Sequence, residues 1–212
     1  MITQPTWIVQ LADSKYLLGR RFAEWTNRAP ALEAAVAAAA MTQDEFGHAR
    51  GLYAMLQNAP DAPEAYLEQE RRAQLSGASI LEQPFQNWME FIAAVALFDR
   101  AMTLTFEALL DANPPTTAWS DPLRQRAAKI AQEEWFHRQY GAGWLRQLAA
   151  QTKTRDAMQD AVKRFWQPTS DWLAAMEQAA FADGALAGNQ VLRQRWSDET
   201  KTLLTQCGLA MP

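Results

Sequence analysis

Apolar residues along this chain recur at intervals of three and four, and no stretch sustains a period-two alternation. That spacing is the signature of amphipathic helices, so an all-α fold is expected. Proline and small polar residues mark where the helices start and stop. A first helix is predicted from Pro5 to about Asn27, and a second from Pro30 to Gln57 after the Ala29-Pro30 step. Residues 58–84 read as a connection containing a short helix near 63–73. A third helix spans about 86–112 and ends at the NPP run of 113–115. Ser120-Asp121-Pro122 caps a fourth that extends to about 150. Beyond it, 155–166 and 170–182 read as two pieces separated by Gln167-Pro168, and Ser197 caps a last short helix stopping at Gly208. Four long helices followed by shorter ones make a four-helix bundle with additional C-terminal helices the expected architecture. The chain is read as one domain, 1–212, with a core bundle over about 5–150 and a helical tail over about 154–208.

Polar residues interrupt these stripes at chosen places. On the fourth helix Leu123, Ala127, Ile130, Glu134, His137, Gly141, Trp144 and Leu148 follow one another at alternating steps of four and three. Glu134 and His137 therefore sit mid-helix on an otherwise apolar face. The second helix repeats the arrangement with Met41, Glu45, His48, Leu52 and Met55. These lie in the hexapeptides QDEFGH and QEEWFH, which hold the only two histidines of the chain. One inward Glu-x-x-His pair reads as a satisfied hydrogen bond. Two matching pairs on two core faces are the ligand pattern of a carboxylate-bridged di-iron or di-manganese bundle, whose site takes one more carboxylate from each remaining helix.

The third helix offers Asp99, the one acid on the face defined by Trp88, Phe91, Ile92, Val95, Met102, Phe106 and Leu109. A hairpin reversing near 116–117 sets Asp99 level with Glu134. On the first helix two acids compete. If its hairpin with the second reverses near 28–29, Asp13 lies at about the level of Glu45 and Glu24 lies roughly 15 Å further along the axis. Asp13 stands off the main stripe of Trp7, Leu11, Leu18, Phe22 and Trp25, whereas Glu24 keeps company with Arg20, Arg21 and Arg28 and reads as a surface ion pair. The expected metal ligands are thus Asp13, Glu45, His48, Asp99, Glu134 and His137, with Glu24 as the alternative on the first helix. Asp44 and Glu133, just before the motif glutamates, are placed to orient the histidine of the opposite helix or to be solvated flanks.

Composition narrows the function classes. The chain has 212 residues, 49% hydrophobic and 21% charged, with a net charge of −4 and no long basic run, which argues against a nucleic-acid surface. The single cysteine rules out an internal disulfide and cysteine-held zinc or iron–sulfur sites. No apolar run approaches the ~18 residues of a membrane span, and no signal peptide is visible, so a cytoplasmic protein is expected. Nine tryptophans spread along the length read as packing residues.

Three segments carry a family resemblance. QDEFGHARGLY, QEEWFHRQY and MQDAVKRFWQP resemble the catalytic A-type subunit of the bacterial phenylacetyl-CoA epoxidase family. LADSKYLLGRRFAEWTNRAPALE resembles instead the C-type subunit, a structural partner of the same ferritin-like fold. The resemblance implies a ferritin-like di-iron oxygenase of phenylacetate degradation, with ligands at Glu45, His48, Asp99, Glu134 and His137. It implies two iron ions (manganese or a mixed pair fits the same donors) and dioxygen as co-substrate. Glu45 and Glu134 would be the catalytic carboxylates, bridging or chelating the metals. The substrate would be small and apolar, aromatic or acyl, within a cavity lined by Phe46, Met41, Met102, Phe106, Trp135 and Trp144. A separate reductase would donate electrons, and the chain would act as a homodimer or beside a related ferritin-like subunit. Iron handling as a ferroxidase, or a non-catalytic scaffold role, are the competing readings.

Overall fold

The computed structural model describes residues 6–57, 75–111, 120–186 and 192–212. Among these the regular structure is helical throughout, and the packing is that of an all-α bundle. Helix α1 is Thr6–Ala23 and α2 is Leu32–Gln57. Helix α3 runs over 88–111 as one rod in three parts: α-helical Trp88–Ala93, π-helical Ala94–Asp99 and α-helical Arg100–Asp111. Helices α4, α5 and α6 are Ser120–Ala150, Thr152–Ala182 and Leu192–Gln206. None of the described helices is long and apolar enough to cross a membrane. The expected short helix at 63–73, the NPP stop and Pro5 lie outside the described residues.

The α1–α2 hairpin has a register that periodicity does not set. Past Ala23 the chain keeps turning, with Trp25 N–H donating to Phe22 O and Ala29 N–H to Trp25 O, so the rod continues before it reverses. A Cβ on Gly19 would lie 3.1 Å from Glu45 Cβ, and Asp13 meets Tyr53. The two helices therefore pass each other about residue 32, not 28–29. Gly19 stands at the level of Glu45, and Asp13 lies ~9 Å further along the axis.

The C-terminal helices are part of the core and no mere tail. α5 packs on α3 and α4, and α6 packs on α3 and α5. Covered on all sides, α3 buries polar Glu90, Arg100 and Thr103 as well as its apolar stripe. Two boundary expectations are corrected here. α5 passes unbroken through Pro168. A mid-helix proline forfeits a backbone hydrogen bond at ~3 kcal/mol, which the buried Phe165 and Leu173 to either side help offset. α6 begins at Leu192, so Ser197 lies inside it and is not the cap. Its first amides instead meet the Glu177 carboxylate of α5, at 3.2 Å for Leu192 and 3.5 Å for Arg193. At the far end Gly208 takes φ 64°, and Leu209 N–H returns to Leu204 O.

The segment 75–87 crosses α1 on its outer side. Ser76 N–H donates to Asp13 and Ala78 N–H to Ser14 Oγ, which leaves α1 buried on nearly every face.

Candidate metal centre

Helices α1 to α4 converge at one level, and each brings a polar side chain to the axis. α2 supplies Glu45 and His48, α3 Asp99, α4 Glu134 and His137. All five are buried, with exposures of 5% for His48 and 1% or less for the rest. One donor atom from each of Glu45, Asp99, Glu134 and His137 lies within 4.8 Å of every other. That spread matches the shell of a single ion whose ligands stand ~2.0–2.4 Å away on opposite sides. α1 supplies a cation. The Lys15 ammonium, fully buried, donates to Glu45 Oε1 at 3.0 Å, to Asp99 Oδ1 at 2.8 Å and to Glu134 Oε1.

Both histidines turn Nδ1 inward and Nε2 outward. His137 Nδ1 lies 2.9 Å from Asp99 Oδ2 and 3.0 Å from Glu134 Oε2, while His48 Nδ1 is 3.2 Å from Glu134 Oε1. The outer nitrogens cross between α2 and α4: His48 Nε2 meets Glu133 at 2.9 Å and His137 Nε2 meets Asp44 at 3.3 Å. Of the two alternatives for Asp44 and Glu133, these contacts are those of the first, although both acids stay partly solvated. A carboxylate on Nε2 holds the proton there and fixes the ring, presenting Nδ1 to a ligand.

Three buried atoms at the centre, Glu45 Oε2, Glu134 Oε2 and His48 Nδ1, make no hydrogen bond. The ion-pair approaches between His48, His137 and Glu134 are close but not aligned as hydrogen bonds. Unpaired lone pairs in a buried core are costly. A divalent ion would satisfy them, and hard carboxylates with imidazole are the donors that iron and manganese take. The residues present fit a metal.

Without an ion the cluster balances itself with protons. Burial opposes the charge on Lys15, but Asp99, Glu134 and Glu45 outweigh it and hold the ammonium well above the ordinary lysine range. Burial likewise opposes a charged His137, yet Glu134, Asp44 and Asp99 raise it well above the usual imidazole value. Glu45 is pushed up to about 8 by burial, against the pull of Lys15. Glu134 moves the other way: burial would raise it, but Lys15 and His137 hold it well below the ordinary carboxyl range.

Residues 3–212 match the family described as phenylacetic acid catabolic protein. The chain belongs to that family. It is also 26% identical to the C-type subunit of the 1,2-phenylacetyl-CoA epoxidase of Escherichia coli (strain K12), over 97% of this chain and 83% of the relative. In this member of the phenylacetic acid catabolic family, five of the six sequence-predicted ligands converge and Asp13 does not. Asp13 is buried, but it accepts from Tyr53 Oη at 2.5 Å and from Ser76 N–H at 2.7 Å. Glu24, the alternative, pairs with Arg21 at 3.1 Å near the end of α1. The hairpin register is the reason: at 1.5 Å per residue neither acid reaches the level of Glu45, whereas the long arm of Lys15 spans the single turn from Gly19.

Sequence reasoning missed Lys15, although a signal was present. The stripe Leu11, Leu18, Phe22, Trp25 has a gap, and Lys15 fills it at steps of four and three. The cavity-lining expectation is also revised. Met41, Met102 and Phe106 are packed into the core, while Trp135 is 64% exposed. A cleft of about 470 Å³ instead reaches His48 from outside, lined by Asp44, Phe46, Gly47, Arg50, Lys129 and Glu133 among others.

Proposed function

We propose that this chain is a metal-dependent oxygenase subunit, related to phenylacetyl-CoA epoxidase, that uses dioxygen to oxidise a small apolar, aromatic or acyl substrate. One observation carries the reading: a buried shell of Glu45, Asp99, Glu134, His137 and His48 around lone pairs that no hydrogen bond satisfies. Iron held there would bind dioxygen and pass to it electrons drawn from a separate reductase; two irons, two manganese ions or a mixed pair is the expectation from the motifs. Glu45 and Glu134 would hold the metal from opposite helices, and His48 and His137 would each offer Nδ1. Asp99 completes the shell from α3, while Asp44 and Glu133 keep the outer proton on each ring. The packed Met41, Met102 and Phe106 keep water from the interior side, and the cleft beside His48 is the path from solvent.

A relative named as part of an epoxidase supports action within an assembly. Exposed Trp135 and Phe136 on α4, beside the ligand turn, offer apolar surface to a second ferritin-like chain or a second copy. Electrons would come from a separate reductase. Lys15 favours a second reading, a non-catalytic partner subunit in which the ammonium stands in for metal.

Anaerobic loading with Fe(II), followed by dioxygen, separates the two. Stoichiometric iron and new visible absorption after dioxygen, both lost in His137→Ala with helical content retained, are expected of the oxygenase. A wild type that takes up neither Fe(II) nor Mn(II) would remove the oxygenase reading and leave the partner-subunit reading.

A further inference from the structure

We infer that Lys15 occupies the place of one metal ion, so that the centre is built for a single divalent ion beside an internal ammonium. The inference rests on the metal-binding reading above and changes its stoichiometry.

Three observations carry it. First, a dinuclear carboxylate site of this ligand pattern takes a carboxylate from every helix, and α1 brings none: Asp13 is committed to Tyr53 and Ser76, and Glu24 to Arg21. Second, the carboxylate oxygens are divided between two places. Lys15 Nζ takes Glu45 Oε1, Asp99 Oδ1 and Glu134 Oε1. On the other side Asp99 Oδ2 and Glu134 Oε2 face His137 Nδ1, at 2.9 Å and 3.0 Å, and Glu45 Oε2 is left unpaired. The carboxylate oxygens that Lys15 does not engage are therefore grouped around His137 Nδ1, and they form one shell. Third, the charges close. One divalent ion and one ammonium balance the three fully buried carboxylates, whereas two divalent ions beside the ammonium leave an excess of two positive charges that only the partly solvated Asp44 and Glu133, on the far side of the imidazoles, would offset. Uncompensated buried charge is among the costliest features a protein core can hold.

His48 then has a different role from His137. Its unpaired Nδ1 lies 3.2 Å from Glu134 Oε1, the oxygen that Lys15 engages, so it stands on the ammonium's side of the cluster. Lys15 becomes a specificity-determining residue that sets how many ions the family's ligand motifs hold in this chain.

The test is metal binding by the full-length protein, read as content and as magnetic coupling. The probes are Fe(II), added anaerobically and quantified after gel filtration, and Mn(II), followed by electron paramagnetic resonance. The wild type should retain one ion per chain with the spectrum of an isolated Mn(II). Lys15→Glu should retain two, exchange-coupled. That variant crowds four carboxylates together when metal-free, so Lys15→Met serves if it does not fold. Removing the charge without adding a ligand should tighten the first ion at least tenfold. Two coupled ions in the wild type, or unchanged affinity in Lys15→Met, would overturn the inference and leave the oxygenase reading standing. Metal in Lys15→Met but none in the wild type would also overturn it, because the ammonium would then exclude the ion instead of accompanying it. No metal in the wild type or either variant would remove the oxygenase reading itself, and the inference with it.

Discussion

At the scale of single residues, the centre depends on what stands behind its ligands. Asp44 and Glu133 are partly solvated, yet each fixes a buried imidazole across the α2–α4 interface. Replacing Asp44 with Asn or Glu133 with Gln keeps the shape and removes the charge that holds the Nε2 proton. Metal affinity should fall about 10–100-fold, measured by Mn(II) titration, with little change in unfolding free energy because both side chains lie near the surface. A comparable loss of stability without loss of affinity would show a structural role only. At this same scale the sequence was most informative for residues whose helical phase is unambiguous. Glu45, His48, Glu134 and His137 interrupt apolar stripes in mid-helix, and a side chain on a stripe has one direction to point. Lys15 interrupts a stripe in the same way, but a search for metal donors looks for anions and passes over a cation.

At the scale of elements, the contact between α3 and α4 is the one that sets ligand positions. Gly141 lies opposite the π-helical stretch, where a Cβ would come within 2.9 Å of Val95 Cγ1 and 3.1 Å of the Ala96 amide nitrogen. The widened turn is also held from outside, by the Trp196 indole donating to Leu97 O at 2.9 Å. Gly141→Ala must push backbone from backbone and should cost about 1–3 kcal/mol. Gly143→Ala, two residues on and facing open space, should be neutral or stabilising by up to ~1 kcal/mol, because alanine is the better helix former. Urea denaturation of the pair checks both, and equal effects would contradict the close approach. Helix ends were less legible than helix bodies. The start of α6 is stabilised by Glu177, a residue of α5 that comes close only after folding, so the local cap signal at Ser197 misled.

At the scale of the whole molecule, a charged network ties the C-terminal helix to the bundle. Arg100 of α3 bonds Glu107 at 2.6 Å and Glu199 of α6 at 2.9 Å, and Arg195 reaches both acids. Burial would raise the Glu107 carboxyl, but Arg100 and Arg195 more than offset it and hold it below the ordinary value. A carboxyl lowered by folding stabilises the native state above its unfolded pKa, and that contribution disappears as pH falls through the folded value. The stability difference between wild type and Glu107→Gln should therefore be constant from about pH 7 to 5 and shrink below about pH 4.5. Urea midpoints across that range measure it, and a difference that grows on acidification would contradict the sign.

The sequence by itself determined the helical class, the bodies of the long helices and the inward direction of both Glu-x-x-His pairs. Those follow from a period of 3.6 residues, a property each helix carries alone. Asp99 was legible for the same reason, as the one acid on its face. Tertiary structure decided which residue of α1 meets them. Moving the α1–α2 reversal from 28–29 to about 32 shifts the opposing residue by some 10 Å, and that shift comes from turns between 24 and 31 that continue the rod past Ala23. It sends Asp13 to Tyr53 and Ser76 and brings the ammonium of Lys15 among three carboxylates. Periodicity fixes the face on which a side chain lies, but its height along the bundle is set by how neighbouring helices pack.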